Sequence, residues 1–254
     1  MRYFLAEACQ NTFVLFDCLE MKTLDKTVLE EAHEALKKEN RDDALILVNG
    51  QKEGAFFIAE LVVLGLDGEI AEFCGNGARA AAAYLFNHHR LEGEPALKTA
   101  RGIHPLIEQG PDTYSVSVPA AKFECNPKFV KSLDAFPEYH YVETGEPHLV
   151  IEKNMTDEEL AIVGKTLNQQ KDIFPQGINV NAWHVLGEGK IHVKTYERGV
   201  QRLTRSCGTG SMACAAFYQG KGNVEVTTPG GPLEIIFQNQ AILLCGEGLV
   251  TEVK

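Results

Sequence analysis

Two stretches of this chain repeat each other, and they constrain it more than anything else in it. Cys74-Gly75-Asn76-Gly77-Ala78 and Cys207-Gly208-Thr209-Gly210-Ser211 both read Cys-Gly-x-Gly-small. Each runs into an alanine-rich apolar segment, Arg79-Ala80-Ala81-Ala82-Ala83-Tyr84-Leu85 and Met212-Ala213-Cys214-Ala215-Ala216-Phe217. A cysteine followed by such helix formers predicts a thiol at a helix N-terminus. Unpaired backbone N–H groups and the helix dipole favour negative charge there, whether thiolate or bound carboxylate. A helix that is apolar all round must be buried. The repeat therefore predicts two related halves, each with its sheet wrapped around its own alanine-rich helix, that bring one thiol each to a shared cleft.

The elements around these helices repeat as well. Residues 3–19 alternate and then turn apolar, as one strand with a polar insert at Gln10-Asn11-Thr12. Residues 24–40 have the spacing of a surface helix, capped by Thr23 or Asp25. Strands are expected at 44–48 and 56–64, before a turn at 65–68. The first apolar helix is expected to reach about Leu91, with strand-like runs at 96–107 and 113–118. In the second half, strands are expected near 139–143, 148–151, 178–186 and 190–197, with a helix at about 157–167. After the second apolar helix, strands are expected at 223–228, 233–237 and 241–244. The division falls at 1–112, carrying Cys74, and 113–254, carrying Cys207, the last strand packing back on the first half. This is an α+β layout of two pseudo-symmetric domains.

The chain has 254 residues and a formal charge of −11, with no basic run, which argues against nucleic acid or an anionic membrane surface as partner. No apolar run spans a bilayer, and Glu7 comes too early for a signal peptide, so a cytoplasmic protein is expected. Seven cysteines, an odd number, speak against a disulfide framework. Neither Cys-x-x-Cys nor His-Glu-x-x-His occurs, so no metal is expected. Cys9, Cys18, Cys125, Cys214 and Cys245 have apolar neighbours and read as inert packing.

Two thiols facing each other allow a particular reaction. One, as thiolate, removes a proton from a carbon acid; the other, as thiol, returns a proton to the opposite face, and the stereocentre inverts without a cofactor. First-turn N–H groups can hold the carboxylate next to the reacting carbon. His148, in a Gly/Pro-flanked turn, and Glu197, ten residues before Cys207, are candidates to tune the thiols. Each has a plainer reading: a lone histidine is commonly structural, and Glu197-Arg198 suits a surface ion pair. Gly208-Thr209-Gly210-Ser211-Met212-Ala213 also fits a weak dinucleotide pattern, which leaves the repeat unexplained.

At these residues the chain resembles the diaminopimelate epimerase family of cofactor-independent racemases. The likeness runs through Cys74-Gly75-Asn76-Gly77-Ala78-Arg79, Gly145-x-Pro147-His148, Asn179, Tyr196-Glu197-Arg198-Gly199, Cys207-Gly208-Thr209-Gly210 and Pro229-Gly230-Gly231-x-Leu233. The resemblance implies two curved, mostly antiparallel sheets, each around a central helix. It implies Cys74 and Cys207 as the two bases, assisted by His148 and Glu197, with no cofactor. It places Gly75, Asn76, Gly208 and Thr209 at the substrate carboxylate, and Asn11, Asn179 and Arg198 on the substrate, the last two with Glu197 at its far end. The chain departs from the family pattern at Gly65 and Glu146, where family members carry asparagine, and between Arg198 and Cys207. Those changes fall where the far end of diaminopimelate would be read. Diaminopimelate is thus the first substrate, and a basic amino acid such as histidine or lysine is the alternative. An exposed edge strand of either half offers a homodimer contact, and the two thiols are expected to be sensitive to oxidation to a disulfide.

Overall fold

A computed structural model of the chain describes residues 2–88, 93–119, 138–144, 146–218 and 222–252. The far end of the first apolar helix, Cys125 and Gly145 lie outside them. The chain forms two compact units, Met1–Ser117 with Cys245–Lys254, and Val118–Leu244.

The first unit opens with a hairpin of β1 (Tyr3–Ala8) and β2 (Asn11–Cys18), paired antiparallel. This corrects the single strand expected over 3–19. Cys9 and Gln10 form the turn, with φ of 50° and 61°. Two successive residues with positive φ make the turn that matches strand twist, but neither is the glycine or asparagine that usually signals it. Helix α1 (Lys26–Glu39) follows, its cap Asp25 accepting the Val28 N–H at 3.0 Å. It leads to β3 (Asp43–Glu53), parallel to β2, and β4 (Phe56–Gly65), antiparallel to β3. The short β5 (Ile70–Ala71) precedes α2 (Gly75–His88), which crosses to β6 (Glu94–Thr99), parallel to β4. The run expected over 96–107 is broken by a turn at Gly102, whose φ is 120°, so that β7 (Gly102–Gly110) folds back on β6. β8 (Thr113–Pro119) pairs with β7.

The second unit repeats this order. β9 (His140–Glu143) and β10 (Pro147–Glu152) pair antiparallel. Helix α3 (Asp157–Gln169) starts at a capping box of Thr156 and Glu159. It leads to β11 (Asn179–Gly187), parallel to β10, and β12 (Lys190–Glu197), antiparallel to β11. The short β13 (Arg202–Thr204) precedes α4 (Gly208–Tyr218), which crosses to β14 (Asn223–Thr228), parallel to β12. β15 (Gly231–Phe237) folds back on β14, and β16 (Ala241–Glu247) carries the chain back to the first unit. There β17 (Leu249–Glu252) pairs antiparallel with β1.

The apolar runs explain the layers. In β2, Phe13 and Leu15 face the cluster that holds α2, while Val14 and Phe16 face the cluster that holds α1. The parallel pair β2–β3 is covered on both sides, which is why both strands read as continuous apolar runs. Residues 75–85 of α2 and 208–216 of α4 are buried. Helix α2 packs against β1–β4, β6, β7 and β17, and α4 against β9–β12, β14 and β15. Alanine side chains let the surrounding strands come close. The fold is α+β, two pseudo-symmetric units each with a curved, mostly antiparallel sheet around a central apolar helix. Among the described residues, no helix is long and apolar enough to cross a membrane.

Candidate active site

Each repeated cysteine caps its helix with its sulfur. Cys74 Sγ accepts the Gly77 N–H at 3.3 Å, and the helical ladder begins with the Ala78 N–H on the Cys74 carbonyl at 2.8 Å. In the second unit, Cys207 Sγ accepts the Gly210 N–H at 3.4 Å and the Cys207 carbonyl accepts the Ser211 N–H at 2.9 Å. The sulfur takes the place of a capping hydroxyl or carboxylate. An anion is favoured there by that N–H and by the helix dipole. The third residue of each helix is glycine because the sheet is so near. A Cβ at Gly210 would lie 2.3 Å from Asn181 Oδ1 and 2.8 Å from Thr195 Oγ1.

The first unit holds Asn11, Gly65, Cys74, Gly75 and Asn76. Gly75 and Asn76 open α2 and are buried in its first turn. Asn76 Nδ2 donates to Asn11 Oδ1 at 3.4 Å, and Arg79 Nη2 donates to Asn76 Oδ1 at 2.8 Å. Gly65 ends β4, its N–H donating to the Glu69 carbonyl and its carbonyl accepting the Gly68 N–H. Cys9 is buried, but its sulfur receives a guanidinium N–H from Arg79 at 3.3 Å, a polar contact where apolar packing was expected.

The second unit brings together Glu146, His148, Asn179, Glu197, Arg198, Cys207, Gly208 and Thr209. His148 lies fully buried on β10, in register with Asn179 on the parallel β11. Its Nδ1 receives the Asn181 Nδ2–H at 3.1 Å. The same amide donates to the Leu149 carbonyl at 3.0 Å, and Asn181 Oδ1 accepts from Thr195 Oγ1 at 2.8 Å. The Leu149 carbonyl can only accept, so the amide atom that faces it is the nitrogen, and the neutral ring carries its proton on Nε2. That Nε2 is buried without a hydrogen-bond partner among the described residues. Burial, and then the charge of Arg198, lower the His148 pKa to about 3 against the pull of Asn181, so the ring is neutral at neutral pH.

Glu197 closes β12. Burial raises its pKa, opposed by hydrogen bonds from Thr204 and from the Cys207 thiol. Thr204 Oγ1 donates to Glu197 Oε1 at 2.5 Å. The Cys207 thiol is thus paired with a carboxyl group that burial makes a better proton acceptor. Cys207 Sγ also lies 3.4 Å from Thr209 Oγ1. Glu197-Arg198 is no surface dipeptide: Arg198 is ion-paired with Glu146, with side-chain exposures of 21% and 18%. The Arg198 backbone N–H donates to Asn179 Oδ1 at 3.0 Å.

Several members of this network escaped the sequence reading. Asn181 and Thr195 orient His148, Thr204 supports Glu197, and Thr144 Oγ1 donates to the Thr209 carbonyl at 2.8 Å. The signal for Asn181 was an amide inside an otherwise apolar strand, which must find partners when buried. Among the described residues no three His, Cys, Asp or Glu side chains group as metal ligands.

Solved structures of low sequence identity share the fold. A phenazine biosynthesis protein of the PhzF family from Enterococcus faecalis gives a TM-score of 0.66 at 15% identity, over 98% of this chain and 97% of that one. A probable proline racemase from Agrobacterium radiobacter gives 0.65 at 14% identity, over 100% and 92%. The sequence comparisons go further. The family model described as diaminopimelate epimerase matches residues 140–248. The diaminopimelate epimerase of Thermotoga maritima is 31% identical over 245 residues, 93% of this chain and 94% of that one. That of Methanocella arvoryzae is 36% identical over 211 residues, 73% and 74% of the two chains. The sequence comparisons define an isomerase that works without pyridoxal phosphate. The chain belongs to the diaminopimelate epimerase family.

Proposed function

We propose that the chain inverts the α-carbon of a free amino acid by a two-base mechanism, converting LL- to meso-diaminopimelate. The observation that carries this reading is the pair of cysteine sulfurs, each capping a buried helix. One thiolate takes the α-proton, and the electron pair left behind spreads into the adjacent carboxylate. The first-turn N–H groups of Gly75, Asn76, Gly208 and Thr209 would hold that carboxylate as its charge grows. The other thiol gives its proton to the opposite face, so one C–H bond is broken, one is made, and the two sulfurs exchange protonation states. Glu197 serves Cys207, and the Nε2–H of His148 is a donor for a developing anion. The thiols must stay reduced, which suits a cytoplasmic enzyme.

The Glu146–Arg198 pair bears on the substrate's far end. Diaminopimelate carries both charges there, a carboxylate for Arg198 and an ammonium for Glu146. The second reading, a basic amino acid, draws on Glu146, a carboxylate that favours a cationic side chain.

The test is incubation of reduced enzyme with LL- and meso-diaminopimelate, histidine and lysine in deuterium oxide, read by mass and chiral chromatography. Deuterium at the α-carbon of diaminopimelate alone supports the first reading; exchange of histidine or lysine alone replaces it with the second. Cys74→Ala and Cys207→Ala should each abolish epimerisation, and full turnover by either would sink the two-base mechanism. Glu146→Ala should raise KM for diaminopimelate roughly tenfold, the effect of one lost charge-assisted contact.

A further inference from the structure

Helix α2 carries one charged residue within its buried length. Arg79 is fully buried. Its Nη2 meets Asn76 Oδ1 and Cys9 Sγ, its Nη1 the Gly75 carbonyl at 3.4 Å, and its Nε the Glu247 carbonyl at 3.2 Å. No carboxylate of the described residues pairs with it; the ionisable groups that act most on it are the thiols of Cys9, Cys74 and Cys245.

A buried cation without a counter-charge is strongly disfavoured. Arg79 also sits near the positive end of its own helix, where a cation is disfavoured. Both penalties are relieved by an anion at the helix cap, which is where Cys74 Sγ lies. Cys9 and Cys245 are 2% and 5% exposed, whereas Cys74 is half-buried.

The internal repeat supplies the control. Five residues beyond Cys207, where the first unit has Arg79, the second has the buried Met212. Cys207 has instead the carboxyl group of Glu197. One thiol therefore lies near a buried cation, the other against a buried carboxyl.

We infer that Arg79 is the counter-cation that holds Cys74 as a thiolate in the free enzyme, so that each cycle starts with Cys74 charged and Cys207 protonated. The inference rests on the two-thiol reading of the site and makes Arg79 a positioning residue, acting through Cys74. The isomer whose α-hydrogen faces Cys74 is then the one that the resting enzyme accepts.

The test is the rate at which iodoacetamide alkylates each cysteine of the full-length, substrate-free protein at neutral pH, located by peptide mass. Arg79→Met should slow Cys74 severalfold, as its thiolate fraction falls from nearly complete to a minority, and leave Cys207 unchanged. Arg79→Lys, which keeps the charge, should restore most of the rate. A folded Arg79→Met protein that alkylates at Cys74 as fast as the native one overturns the inference. Where Arg79→Met does not fold, the ultraviolet thiolate absorption of the free protein decides. Cys74→Ser should remove it and Cys207→Ser keep it; its survival in Cys74→Ser is fatal to the idea. Both readings are made without substrate, so absence of α-deuteration defeats the proposed function and leaves this result standing.

Discussion

His148 and Glu197 are both withdrawn from water, and burial moves them in opposite directions. The histidine falls to about 3 when folded, against an ordinary value of about 6.5. Below pH ~6.5 the unfolded chain binds a proton that the folded chain refuses. The His148 contribution is therefore complete above that pH and is lost on acidification towards pH 3, at up to ~1.4 kcal/mol per pH unit. Glu197 is raised when folded. Its folded form keeps a proton that the unfolded chain releases above pH ~4.3, so its contribution is lost as pH rises through the raised value. From pH 7 to 5 the histidine thus drives acid destabilisation and the glutamate opposes it. His148→Asn should flatten the fall of the melting temperature over that interval relative to the native protein, followed by circular dichroism. A slope unchanged by the substitution would mean that the folded ring titrates normally.

A helix glycine usually costs stability, about 1 kcal/mol against alanine. At Gly210 that sign should reverse. A Cβ there would press on Asn181 Oδ1 and Thr195 Oγ1, so either the helix end retreats from the sheet or Asn181 releases His148. Gly210→Ala should lower stability by ~1–3 kcal/mol, the range for overpacking, and cut turnover with it. Gly77→Ala should cost less, because its closest contact is the flexible Cδ2 of Leu45 at 2.8 Å. Thermal melts of the two variants check the order. The caps themselves were legible in sequence because a thiol, two glycines and a run of alanines occur together twice. The double-faced strands were legible as apolar runs. The hairpin at Cys9-Gln10 was not, since nothing in those side chains announces positive φ. Strands β13 and β17, three and four residues long, are too short for a period-2 pattern to register. Arg79 was read as a helix residue of the motif, because pairing with a thiol cap depends on contacts that sequence spacing does not show.

Chain order and folding order need not agree in a molecule wired like this one. The first unit is built from both ends of the chain, with the second inserted between them. Strand β1 pairs with β2 across the turn at Cys9-Gln10, and also with β17 at the far end of the sequence. The second pairing closes a loop of nearly the whole chain, which is entropically costly and slow to form. What it completes is specific. Phe4 through Glu7 gain a partner strand, Gly248 packs against the Arg79 carbonyl, and the Glu247 carbonyl receives Arg79 Nε–H. Removing residues 248–254 should therefore weaken the first unit by several kcal/mol, taking about 1 kcal/mol for each ladder hydrogen bond lost. It also leaves β1 as an open edge prone to aggregation. The second unit loses nothing directly. The chain's one tryptophan, Trp183, is buried there against Phe217 and Tyr218 and reports on that unit. In the truncated protein, loss of far-ultraviolet ellipticity should begin at lower temperature than the tryptophan fluorescence transition, which should keep its native midpoint. Equal downward shifts in both signals would mean that the two units melt as one cooperative body and that β17 supports them together.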